Sequence, residues 1–538
     1  MKMVRSLLLG SAAGLVAVAG AQAADMPVKA KPVEYVKICT LYGAGFYYLP
    51  GTDICVKHGA YVRAQYYYGF GANLTNGPMV GAVGQNTIFK TTPNDFVMRA
   101  RFVYTLDART QTEYGTLRAY ALIGATTDSP QNEIAGNAAV LYATRGFIQF
   151  AGFTLGRASS FYDIFSNAAN SYFALWSSDT GDSGQNVAAY TFQFGNGFSA
   201  TISAEDPRRA GVVNTSVGAL GSNFPVGVTP VLDQVQTKWP DIVGNLRVDQ
   251  AWGSIQVMGA VHDASGAYFA SGPGVTCNVT STGGSLTGQL ACGHPDDELG
   301  FAVGAGAIFR VPMWTGLTDI VSFQGNYTQG AMRYAVFSQP AGGSPNYFTS
   351  SGLALCPPSA LLVGANTTQA CLGSIGTGIW ADSIYANPGA LPGYDGSVQR
   401  TKVWGINAAW DHLWTPNLKT SVYGWFLKSD FNATATALIA QATCGGVGAN
   451  VAAANSLSRM TNCDPNSSVW AIGSRTQWNI TPSFYVGFDV IYQKLETAFA
   501  GAALFTAATG LPRPTGNYEI KDQDTVAVTA RAHWDILP

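Results

Sequence analysis

The stretch Phe96-Val97-Met98-Arg99-Ala100-Arg101-Phe102-Val103-Tyr104-Thr105-Leu106-Asp107-Ala108-Arg109 decides the fold. Its even positions, from Phe96 to Ala108, are all apolar. The odd positions between them are mostly polar and include Arg99, Arg101, Asp107 and Arg109. A side-chain period of two describes a β-strand with one apolar face and one wet face. The stretch is also longer than the roughly 9–11 residues with which a tilted strand crosses a bilayer. A soluble sandwich alternates in the same way, so the weight of the argument lies in recurrence.

The pattern does recur. Ala188, Tyr190, Phe192 and Phe194 alternate with Ala189, Thr191 and Gln193. Ile255, Val257, Gly259 and Val261 form a similar set. Phe484, Val486, Phe488, Val490 and Tyr492 alternate with Tyr485, Gly487, Asp489, Ile491 and Gln493. Val526, Val528, Ala530, Ala532 and Trp534 alternate with Thr525, Ala527, Thr529, Arg531 and His533. Sixteen strands are predicted in all: 60–70, 95–110, 114–125, 139–150, 153–159, 186–195, 197–206, 240–250, 253–264, 297–310, 317–329, 400–412, 417–431, 468–480, 483–497 and 521–535. Their connections alternate between short (Ala151-Gly152, Asn196, Ala251-Trp252, Thr481-Pro482) and long (about 71–94, 126–138, 160–185, 207–239, 265–296, 330–399, 432–467 and 498–520). Short turns on one side and long loops on the other are the outer-membrane pattern. An even strand number lets the sheet close without an unpaired edge, which the bilayer demands. The expectation is an all-β chain: a 16-stranded antiparallel transmembrane β-barrel with long external loops and short periplasmic turns.

Composition agrees. Only 12% of the 538 residues are charged, against about 25% in soluble domains. Mean hydropathy is only +0.10, too polar for a bundle of membrane helices. A barrel apolar outside and wet inside reconciles the two. A net charge of −2 gives no sign of a nucleic-acid partner. Lys2 and Arg5, the apolar run Leu7 to Ala21, and the small-x-small Ala21-Gln22-Ala23 read as a signal peptide over 1–23. The mature chain is then an N-terminal segment, 24–59, followed by the barrel, 60–538.

The eight cysteines form four local couples, Cys39/Cys55, Cys277/Cys292, Cys356/Cys371 and Cys444/Cys463, spaced by 16, 15, 15 and 19 positions. In an exported chain an even count reads as disulfides. Nearest-neighbour pairing is the expectation among the 105 connectivities open to eight cysteines. The last three couples each fall inside one long loop, the first lies before the first strand, and none falls within a strand. No C-x-x-C occurs and the five histidines show no ligand spacing, so neither metal nor cofactor is expected. Trp404, Trp410, Trp414, Trp470, Trp478 and Trp534 lie in or beside the late strands, as interfacial girdles would.

Lys31-Pro-Val-Glu-Tyr-Val-Lys-Ile-Cys39, Leu41-Tyr-Gly-Ala-Gly-Phe-Tyr-Tyr-Leu-Pro-Gly-Thr-Asp-Ile-Cys55 and Gly59-Ala-Tyr-Val-Arg63 resemble the N-terminal signature of the alphaproteobacterial porin family. Gly146-Phe-Ile-Gln-Phe-Ala-Gly-Phe-Thr-Leu-Gly-Arg157 resembles the hairpin before a porin's third loop. The resemblance implies a trimeric, sixteen-stranded barrel for passive diffusion of small hydrophilic solutes. Such barrels usually end on an aromatic residue, whereas this chain ends Trp534-Asp-Ile-Leu-Pro538.

A pore needs a constriction that sets size and a field that sets charge preference. If the apolar set meets lipid, then Arg63, Arg99, Arg101, Arg118 and Arg145, on the first four strands, point into the lumen, and Arg531 joins them across the closure. A charge on the lipid face would cost about 2–4 kcal/mol near the midplane. Arg157 shares parity with Phe153 and Leu155 and needs a bulge or an interfacial place. The resemblance implies that the third loop, about 160–185, folds into the channel. This loop carries Asp163, Asp179 and Asp182 and no Lys or Arg. A basic wall facing an acidic loop is the expected constriction.

Rival readings are weaker. No motif assembles a nucleophile, base and orienter, and Gly304-Ala305-Gly306 is a lone Gly-x-Gly within a strand, so no enzyme is expected. The short segment before the first strand leaves no room for a transporter plug. A substrate-specific channel, or a surface adhesin or receptor barrel, remains the alternative.

Overall fold

Alternation of apolar and polar side chains carries through into hydrogen-bonded strands wherever it was read. The computed structural model describes residues 37–68, 96–129, 140–165, 170–173, 184–216, 238–269, 292–313, 316–336, 346–352, 374–444, 459–505 and 516–537. Predicted segment 1–23 lies outside them.

Sixteen strands form the barrel, here numbered along the chain: β1 (Cys55–Tyr68), β2 (Phe96–Thr112), β3 (Gly115–Ser129), β4 (Val140–Phe150), β5 (Phe153–Ala158), β6 (Gln185–Gly195), β7 (Phe198–Glu205), β8 (Asp241–Gln250), β9 (Gly253–Asp263), β10 (Leu299–Pro312), β11 (Thr318–Gln329), β12 (Lys402–Thr415), β13 (Leu418–Asp430), β14 (Ser467–Thr481), β15 (Phe484–Glu496) and β16 (Gln523–Leu537). Each pairs with its sequence neighbour, and β16 returns to β1, with Val62 opposite Trp534 and Tyr68 opposite Val528. Closure leaves no strand edge unpaired, which removes the cost of bare N–H and C=O groups in hydrocarbon.

The two faces separate as parity requires. On β2, Phe96, Met98 and Phe102 are exposed while Val97, Arg99 and Val103 are buried. Exposed Phe192, Ile202, Leu246, Ile406, Ile472 and Val526 continue the apolar exterior. Trp252, Trp414, Trp478 and Trp534 are exposed near the short-turn end, and Trp404 near the long-loop end, where its ring lies 4.4 Å from Tyr327. Trp470 sits beside Tyr492 at 5.4 Å. Two short turns hold their central residues in the left-handed region: Ala151 (φ 48°) with Gly152 (φ 88°), and Asn196 (φ 50°) with Gly197 (φ 80°). Two-residue hairpins of this hand match the twist of the flanking strands.

The contacts divide the chain between Lys57 and His58. In the first unit a short strand, Tyr47–Tyr48, pairs with Cys55 and Val56. The Cys39–Cys55 disulfide is present, its Cα atoms 6.0 Å apart, within a small cluster of Phe46, Tyr42 and Tyr48. Cys55 opens β1 rather than preceding it, which corrects both the expected strand start at 60 and the expectation that no cysteine enters a strand. Cys292 and Cys463 are also disulfide-bonded. Cys277, Cys356 and Cys371, and the side chain of Cys444, lie outside the described residues.

The long connections hold regular structure that alternation did not foresee. A helix, α1 (Ala433–Cys444), follows β13. Asn432 caps it, its Oδ1 accepting from Ala435 N–H at 2.8 Å. Segments 346–352, 374–380, 516–520, 500–505 and 459–462 form a separate five-stranded sheet drawn from three different connections. Val212–Asn214, in the β7–β8 connection, pairs in parallel with Ser383–Tyr385 of the β11–β12 connection.

Candidate functional site

The described residues of the connection after β5, 159–165 and 170–173, lie inside the barrel. Its first residues meet inward amides: Asn245 Nδ2 donates to Phe161 O (2.6 Å) and Gln256 Nε2 to Tyr162 O (3.1 Å). Farther along, Asn170 Nδ2 donates to Asp411 Oδ1 (3.1 Å), and Tyr172 N–H donates to Asp489 Oδ2 (2.7 Å). Arg531 Nη2 donates to Tyr172 O (3.3 Å), and Phe173 lies 6.2 Å from Tyr67, ring to ring. These partners stand on β8, β9, β12, β15, β16 and β1 in turn. Gly304 and Gly306 have a structural use here. A Cβ on Gly304 would stand 2.9 Å from Tyr162 OH, and one on Gly306 would stand 2.6 Å from Ile164 Cγ2. Their missing side chains let the connection lie close against β10.

The arginines predicted from parity occupy the inner face of β1–β4. Arg63 Nε donates to His533 Nδ1 (3.2 Å) and lies over the Tyr61 ring. Arg99 makes a two-pronged ion pair with Asp128 at 2.6 and 2.7 Å. Arg101 donates to Thr126 Oγ1 (3.1 Å) and lies over Tyr142. Arg118 shares Asp107 with Arg109 and donates to Gln149 Oε1 (2.9 Å). Arg145 reaches Thr144 O (2.8 Å) and Ser159 Oγ (3.0 Å). The inner faces of β2–β4 thus hold five arginines (99, 101, 109, 118, 145) and two aspartates (107, 128), an excess of three positive charges. Parity reasoning did not use Arg109, Asp107 and Asp128, although they alternate in the same stretches. Arg157 takes the outward parity, opposite Gly146 and Asn186 near the long-loop end of β5.

Asp163 does not face that wall. It pairs with Arg208 at 2.9 Å, and both side chains are nearly covered. Burial disfavours the Arg208 charge, but Asp163, Tyr334 and Glu205 outweigh it and its pKa is raised. Arg208 N–H also donates to Asp241, which holds Tyr334 OH (2.7 Å) and His262 Nδ1 (2.7 Å). This buried network anchors the start of the connection. Local spacing could not reveal it, because Arg208 belongs to a different connection. Asp179 and Asp182 lie outside the described residues.

A closed antiparallel sheet of sixteen strands, apolar outside and charged inside, with one long connection laid within it, defines an integral outer-membrane β-barrel of the channel-forming class. The family comparison agrees. A family model described as the porin subfamily matches residues 25–529, and the chain belongs to that family. Porin Omp2b of Brucella melitensis biotype 1 is 33% identical over 263 residues, covering 47% of this chain and 64% of that protein. Porin Omp2b of Brucella suis biovar 1 is 32% identical over the same span. The match therefore spans less than two thirds of the length of these relatives. Among solved structures, the outer-membrane channel DcaP of Acinetobacter baumannii aligns over 91% of this chain and 99% of its own, at 14% identity and a TM-score of 0.45. OprB of Pseudomonas putida aligns over 89% and 94%, at 9% identity and a TM-score of 0.39.

Proposed function

We propose that this barrel is a water-filled channel for passive diffusion of small hydrophilic solutes and ions across the outer membrane. The observation that carries the reading is the connection 159–184, whose described residues cross inside the closed barrel while arginines stand on the inner face of β1–β4. Arg63, Arg99, Arg101, Arg118 and Arg145 form the basic pore wall. The connection is the constriction, with Asp179 and Asp182 supplying its acidic side. Asp163, already neutralised by Arg208, holds the connection in place. A transverse field between wall and connection orients dipolar solutes and disfavours apolar ones, which gain nothing from it. The working unit is a homotrimer in the lipid bilayer, since a broad apolar exterior associates by symmetric contacts.

Single-channel recording of the refolded protein in a planar bilayer tests this. Stepwise ohmic conductance that is not blocked by any one solute class is the expected result. Absence of steps defeats the reading, and competitive block by one class replaces it with a substrate-specific channel. Light scattering in mild detergent reads the trimer, and a particle of monomer mass would refute it.

A further inference from the structure

One inward carboxylate collects the middle of the constricting connection. Asp489, on β15, is fully buried. Its Oδ2 accepts from Ser171 Oγ (2.9 Å) and from Tyr172 N–H (2.7 Å), and its Oδ1 accepts from Tyr423 OH (2.5 Å). Two of its three donors thus belong to the connection and the third to β13. The Tyr172 ring that follows meets two guanidinium groups. Arg531 Cζ lies 3.9 Å and Arg475 Cζ 5.3 Å from its centroid, and its hydroxyl donates to Gln477 Oε1 at 3.2 Å. The inner wall leaves a gap for this ring at Gly487, where an added Cβ would stand 2.0 Å from the Tyr172 hydroxyl oxygen. Burial pushes the Tyr172 hydroxyl well above its ordinary pKa, so the ring docks as a neutral donor.

We propose that Asp489 and Gly487 are the positioning residues that fix the constriction: Asp489 latches Ser171 and Tyr172 to the wall, and Gly487 makes the recess that receives the ring. Neither touches a passing solute. They act through the connection, whose described residues 159–165 and 170–173 are held to the wall by side chains. A hydrogen bond to a charged group is worth enough to change the docked-to-released ratio by roughly tenfold or more. Two such bonds on one carboxylate hold the segment against thermal release, and losing them frees it to move across the aperture. The inference rests on the channel reading above.

The test is single-channel recording of the full-length protein with three variants. Asp489→Ala removes the acceptor, Asp489→Asn keeps one oxygen for the connection, and Gly487→Ala displaces the Tyr172 ring while leaving the carboxylate intact. Expected are increased open-channel noise and a lower voltage for downward current steps in Asp489→Ala and Gly487→Ala, with Asp489→Asn nearer the parent protein. Reversal potential moves less than the noise, because a loosened connection changes aperture before charge. Thermal melting of the folded trimer is measured beside each recording. If all three fold and their noise and voltage threshold match the parent, the latch is wrong while the channel reading stands. If Asp489→Ala fails to fold, Gly487→Ala decides by the same criteria. If the parent protein itself carries no current, the channel reading is the one that fails.

Discussion

The β2–β4 wall and the β13–β16 wall obey one alternation rule and use the same residue types, yet Arg118 on the first and Arg475 and Arg531 on the second meet different fates. Arg118 keeps about a quarter of its side chain accessible and shares Asp107 with Arg109. Arg475 and Arg531 are almost wholly covered, because Tyr172 lies over both guanidinium groups. One wall carries its excess of positive charge into the lumen, and the other spends its arginines on holding a segment of chain. Facing inward is therefore not the same as lining a pore. Parity decides the first, and the course of a connection distant in sequence decides the second.

Four variants set this contrast against measurement. The largest effect is expected from Arg208→Ala, at the buried anchor between the β7–β8 connection and the start of the constricting connection. It strands Asp163 in a buried place, and breaking a buried pair costs about 3–5 kcal/mol. Urea or thermal unfolding of the purified protein reads this, and a stability within about 1 kcal/mol of the parent would mean that water reaches the pair. Next comes Arg531→Ala. It removes the donor to Tyr172 O and should cost about 1–3 kcal/mol, with a smaller change in reversal potential than the wall variants give. A large selectivity shift at unchanged stability would reverse the roles assigned to the two walls.

On β2, where Arg99 is nearly covered in its pair with Asp128 and Arg101 is half-buried, Arg99→Ala with Arg101→Ala should move the reversal potential toward cation preference, and more so at low salt, where the Debye length exceeds about 10 Å. Removal of Arg99 also leaves Asp128 without its partner, which adds to the shift. No change at either high or low salt would take these arginines out of the constriction. The smallest effect belongs to Arg118→Ala, because Asp107 keeps Arg109 and Gln149 loses only one donor. A slight shift toward cations with near-parent stability is expected. A shift as large as that of the double variant would place Arg118, not Arg99 and Arg101, at the narrowest point.

Each strand was legible from its own residues, and all sixteen form where alternation was read. Parity nevertheless slipped locally. Leu141 shares the odd parity of Arg145 but is 81% exposed, because the pairing shifts by one residue between Leu122 and Ile123, leaving Thr144 as the extra residue. A bulge of this kind depends on the partner strand and leaves no mark in one strand's period. Helix α1 did have a local signal, a capping Asn432 followed by an alanine-rich run, which a search for period two passes over.

Strand number, strand order and the outward face were determined by the sequence itself. They follow from local alternation and from short turns that allow a strand to pair only with its neighbour. The tertiary structure alone decided the rest. It laid residues 159–165 and 170–173 along the inner wall, set Asp163 against Arg208 and Tyr172 against Asp489, and built one sheet from segments as far apart as 346–352 and 516–520. The physical reason is that these contacts join residues tens to hundreds of positions apart. Their energy comes from burying and pairing groups that no local window contains, so only the closed barrel brings each donor to its acceptor.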